Sequence, residues 1–81
     1  MSRELMIQEL VAIKSVEDDI ERRIERMQEC GPWREESVTT LEANLQHIRA
    51  DREFLIVLMR HKYGSDGAFD MARDAASLLY G

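Results

Sequence analysis

Apolar residues recur at alternating steps of three and four in two long stretches, one on each side of Gly31-Pro32. The first runs Met6, Leu10, Ile13, Glu17, Ile20, Ile24, Met27, and the second Val38, Leu41, Leu45, Ile48, Arg52, Leu55, Met59. That spacing keeps a stripe on one side of an α-helix, so each stretch predicts a helix. Each stripe is interrupted once, by a charge: Glu17 in the first, Arg52 in the second. If the chain folds back at Gly31-Pro32 the helices lie antiparallel, with Ile24 against Leu45, Ile13 against Leu55, and Glu17 against Arg52. The expected fold class is all-α, a long antiparallel helical hairpin.

Helix one is expected over about residues 3–30. Ser2 can cap it, and Glu4 stands in the first turn, where the helix dipole favours a carboxylate. Gly31 supplies a C-terminal stop, and Pro32 cannot continue the hydrogen-bond ladder but can open the next helix. Helix two starts either at Pro32 or at the capping box Thr39-Thr40-Leu41-Glu42, because the β-branched run Val38-Thr39-Thr40 is a weak helix former. It should end at Tyr63, where Arg60, His61 and Lys62 suit the negative end and Gly64 stops the helix. After Ser65-Asp66-Gly67 the spacing of Phe69, Ala72, Ala76 and Leu79 predicts a short third helix, about 66–79. The 81 residues make a single helical domain.

Helix two carries a second stripe on its back: Ala43, His47, Ala50, Phe54, Val57 and His61, with Leu58 beside it. The run Phe54 to Met59 is apolar all the way round, the pattern of a helix covered on every side. Ile7 and Val11 add apolar surface behind the seam of helix one, whereas Asp18 to Glu29 is dense in charge. The open end of the hairpin is thus greasy and its tip wet. A third helix of about 14 residues reaches only ~20 Å. It is expected to shield Phe54 and Val57 and to leave Ala43 and His47 bare. A second copy would cover the rest, giving a homodimeric helical bundle; the alternative is a compact three-helix monomer. The expected partner or dimer interface is Ala43, His47, Ala50, Phe54, Val57, Leu58 and His61, with Trp33 at the tip as an anchor or as a plug over Met27 and Val38.

Composition narrows the class without naming a reaction. With 44% hydrophobic and 33% charged residues the chain reads as globular or coiled-coil, not disordered. A domain this small buries only about 60% of its unfolded surface, so its stability margin is thin. One cysteine, Cys30, rules out an internal disulfide framework and fits a reducing compartment. Glu4 and Glu9 break any signal-peptide pattern, and no run approaches the ~20 apolar residues of a membrane span. The expected location is the cytoplasm. The net charge of −5 argues against direct nucleic-acid binding and for solubility or an acidic surface facing a basic groove.

Candidate chemistry is sparse. Glu17 and Arg52 are a candidate polar lock that fixes hairpin register, as single polar seam residues do in coiled coils; the bland reading is an edge bridge that snorkels to water. His47 and His61 share a face about 21 Å apart, too far for one metal, and neither has a glutamate three residues upstream. Cys30 lacks a companion and sits at a helix C-terminus, where the dipole disfavours a thiolate. The methionines read as seam filler, and Glu21 to Arg26 as a solvated face laced with ion pairs. Glycine-rich phosphate loop, nucleophile elbow and zinc spacing are all missing. The expectation is a non-enzymatic protein with no metal and no cofactor.

The stretch Arg60-His61-Lys62-Tyr63-Gly64-Ser65-Asp66-Gly67 resembles the exit of the second helix in plasmid repressor-of-primer proteins, dimeric antiparallel hairpins that bind kissing RNA loops. The resemblance covers eight residues. That family's RNA-binding series on the first helix has no counterpart, since Asp18, Glu21 and Glu25 occupy much of the outer face. The surplus apolar surface on helix two and the candidate anchor Trp33 lead to the expected function, a protein-binding module that modulates or inhibits a partner protein, of the kind phages and mobile elements encode. The alternative is a nucleic-acid-related role, as an acidic mimic or a dimeric RNA-binding hairpin.

Overall fold

A computed structural model describes residues 2–29 and 35–81. Gly31-Pro32, Cys30 and Trp33, to which the sequence assigned the turn, a thiol and an anchor, lie outside the described residues. Two helices make up the rest: α1, Arg3–Glu29, and α2, Glu35–Tyr80. At α1's start the Ser2 carbonyl accepts the first helical bond, from Met6 at 3.0 Å, and the Ser2 hydroxyl accepts from the Leu5 amide at 3.2 Å, satisfying an amide that a helix start would leave orphaned. Val38-Thr39-Thr40 lies inside α2, so the capping box does not open it; packing of Val38 and Leu41, both half-buried, outweighs the weak local propensity.

The structure has two helices, so a separate third helix is not shown. Helical residues continue through Tyr80, and the only non-helical backbone inside α2 is Gly64, at φ 78 and ψ 172. There the helix bends sharply, leaving a proximal arm (35–63) and a distal arm (65–80). Gly67 permits the bend to be tight: a Cβ on it would stand 2.8 Å from Cβ of Tyr63. The distal arm returns along the hairpin, as the pairs Arg3–Asp74 (3.0 Å) and Asp18–Tyr80 (2.6 Å) show, and runs in the direction of α1.

The core sits at the open end, where Met6, Ile7 and Leu10 of α1, Leu55 and Met59 of the proximal arm, and Ala68, Met71 and Ala75 of the distal arm pack together. Met59 and Met71 are wholly buried, and unbranched methionine fills the irregular space the alanines leave. Toward the tip the seam is half-buried at Ile20, Ile24, Met27, Val38 and Leu41, with Leu45 buried.

Two sequence expectations fail here for one reason. The distal arm buries Ala68, Met71 and Ala75 instead of a face centred on Phe69 and Ala76; Phe69 is 68% exposed. The two faces are one residue, or ~100°, apart, and the bend at Gly64 selects between them. The same bend lays the arm beside α1, where Ala72 and Ala75 line a groove shared with Ile56 and Arg52, so it does not shield the back of α2: Phe54 is 66% and Val57 56% exposed. The molecule is a rod of 46 × 25 × 17 Å.

Candidate functional site

Glu17 is the one buried charged residue among those described, 2% exposed. Its place on the seam follows from the three-four spacing, which turns the carboxylate toward the proximal arm. Arg52 Nη1 donates to Oε1 at 2.5 Å and Arg49 Nε to Oε2 at 3.1 Å, while Lys14 Nζ stands 3.7 Å from Oε1. Arg49 also reaches outward, its Nη2 donating to Glu21 Oε1 at 2.9 Å. Bonds to Glu21 and then Glu17 raise the Arg49 pKa above its ordinary value. Both carboxylate oxygens of Glu17 are thus satisfied, which a buried anion requires.

The structure brings Glu17 and Arg52 together and adds three residues the sequence reading left out of the pair, Lys14, Arg49 and Glu21. Arg49 lies one turn before Arg52, and Glu21 one turn after Glu17, so helical spacing was the available signal. Glu21 therefore belongs to an interhelical network, not only to the solvated ERRIER face. Tyr80 was missed as well. Its hydroxyl donates to Asp18 Oδ2 at 2.6 Å, and that bond pushes the phenol pKa above 10.0. Beside this network a groove of about 400 Å³ opens between Leu10, Lys14, Arg52, Ala75 and Leu79. The cations at its mouth already share Glu17, and Glu53 lies 3.9 Å from Arg52, so little charge is left to attract an anion.

The back of α2 is the other candidate. Ala43, His47, Ala50, Phe54, Val57, Leu58 and His61 are all exposed, on the side of the helix turned away from Leu45, Arg52 and Met59. Over nineteen residues the stripe is about 27 Å long. Its two histidines lie near its ends, and among the described residues no three His, Cys, Asp or Glu side chains come together as a metal site. No described helix is long and apolar enough to cross a membrane. Comparison with protein-family models, curated proteins and solved structures gives no match.

Proposed function

We propose that this chain is a small, cytoplasmic, non-enzymatic protein-binding module that modulates or inhibits a partner protein and works as a homodimer, with the back of α2 as its contact face. In this reading the arm beyond Gly64 acts as a separately docking third helix, and the Glu17 network locks the register of the hairpin. The observation that carries the proposal is the exposed stripe. Single exposed hydrophobes are ordinary, but Phe54, Val57 and Leu58 adjoin on one helix face in a domain with little core to spare. Arg3, Arg23, Arg49, Arg52 and Arg73 each carry a carboxylate partner, which favours a protein partner over direct nucleic-acid contact.

The experiment is affinity capture from the native host with tagged wild type and the variant Phe54→Asp/Val57→Asp, after circular dichroism has shown equal helicity. A host protein retained by wild type after nuclease treatment, and lost by the variant, is the expected result. Equal retention by both, or retention abolished by nuclease, would defeat the reading.

A further inference from the structure

We infer that the trough between the proximal and distal arms of α2 binds one long-chain fatty acid, its carboxylate on Arg60 and its chain running toward Leu79. The stripe Phe69, Ala72, Ala76, Leu79 has the spacing of a packed helix face, yet the core takes Ala68, Met71 and Ala75 instead. All four residues of the stripe line cavities along the seam where the two arms meet. One cavity, of about 350 Å³, lies between Ile56 and Arg60 on the proximal arm and Ser65 and Phe69 on the distal arm. The next, of about 400 Å³, continues past Ile56 to Leu79 and Tyr80. Ile56 and Ala72 border both, so the two cavities adjoin.

Charge gives the trough a sign and a direction. The whole chain carries −5, but the trough is lined by Lys14, Arg52 and Arg60 against one carboxylate, Glu53. Lys14 and Arg52 are engaged with Glu17 at the Tyr80 end. Arg60, at the opposite end, has no carboxylate partner among the described residues. An anionic head group therefore belongs at Arg60, where the Ser65 hydroxyl can donate a second hydrogen bond. Glu53 lines only the cavity farther from that head group.

Length and width select an acyl chain. From Ser65 to Leu79 the distal arm rises ~21 Å, and sixteen carbons joined by ~1.5 Å bonds extend ~19 Å. A partner helix is ~10 Å across and would press on Arg52, Glu53 and Arg60 at once, whereas a single methylene chain lies between them. Alanine at 72 and 76 keeps that wall low, and Ile56, Phe69 and Leu79, none of them buried, gain apolar contact from the chain. Ile56 stands two residues, or ~200°, from Phe54, so an occupied trough leaves the back of α2 free.

Parinaric acid, a fatty acid whose polyene fluoresces when buried, is the probe, and palmitate the competitor. Wild type should raise its fluorescence, and palmitate should displace it at micromolar concentration. Octanoate, which fills about half of the trough, should compete at least ~100-fold more weakly. Ala72→Phe, which fills the junction of the two cavities, should abolish binding, and Arg60→Gln should weaken it about fivefold. Arg60 is exposed, so its variant keeps the helicity of wild type whatever Ala72→Phe does. Phe54→Asp should bind as wild type does. Absence of competition by palmitate, or full-strength binding by Arg60→Gln, would overturn the inference. Loss of binding in Phe54→Asp would overturn it too, by moving the chain to the back stripe. Each of these results leaves the host-capture outcome, and with it the binding-module reading, to stand or fall separately.

Discussion

Glu17 is the buried member of its network and its cations are not: the side chain of Arg52 is 23% and that of Arg49 47% exposed, so either can turn to water if its partner is lost. The energetic risk is therefore one-sided. Removing Arg52 alone leaves Glu17 with Arg49 and should cost about 1 kcal/mol, whereas removing the more exposed Arg49 leaves it with Arg52 and should cost less. Removing both leaves Glu17 only Lys14, 3.7 Å away on its own helix, and should cost more than the sum of the two single changes. Urea denaturation of the three variants measures this; strict additivity would mean that Glu17 reaches water without them. The pairing of Glu17 with Arg52 was legible because one charge interrupts each stripe. Arg49 was overlooked because, read along one helix, it sits on the shoulder of the seam and looks like solvent-facing charge. Only the partner's carboxylate, bridging two successive turns, gives it a role.

The bend in α2 is the element the pattern announced and misassigned. Gly64, flanked by the basic turn Arg60 to Lys62 and by Ser65-Asp66-Gly67, marked the break correctly, yet stripe counting placed the apolar face of the distal arm one residue late. Ala and Phe score alike as apolar, but the close approach to Met59 admits Ala68 and Ala75, and Phe69 is too large for it. At φ 78 and ψ 172 an L side chain is strained although nothing stands within 4 Å of its Cβ. Gly64→Ala should therefore destabilise by about 1–3 kcal/mol through the backbone alone, measurable as a fall in thermal midpoint. Gly67→Ala meets Tyr63 instead, and pairing it with Tyr63→Ala should leave the clash in place, since the contact is with Cβ. The far end of the arm is held by Tyr80. Because its phenol pKa is raised in the folded state, the Asp18 bond stabilises the arm below pH ~10 and is lost as pH rises through the folded value. Alkaline titration by tyrosinate absorbance should show one late-titrating phenol that disappears in Tyr80→Phe; an unchanged curve would remove the latch.

For the whole molecule, shape is the decisive quantity. A radius of gyration of 15.0 Å exceeds the ~12 Å of a compact domain of this length, and the core is confined to one end of the rod. Hairpin pairing fixes two of the sides of α2, and the distal arm takes a third place beside α1. Sequence periodicity could show that the back stripe existed but not which apolar face the arm would choose, since Ile56 and Phe54 are equally apolar on paper. If the stripe is closed by a second copy, folding and association are linked, and the thermal midpoint of wild type should rise with protein concentration while that of Phe54→Asp stays flat.

The backbone of Gly64 also carries a stereochemical consequence. Mirrored, φ 78 and ψ 172 fall in the ordinary extended region of an L residue, so the joint has the conformation that a D residue prefers. A synthetic chain with D-alanine at this position should be more stable than the parent by about 0.4–1 kcal/mol, because the unfolded state loses freedom and the native backbone gains no strain. The L and D substitutions should thus move stability in opposite directions, so the hand of a single α-carbon sets how firmly the distal arm is held to the hairpin.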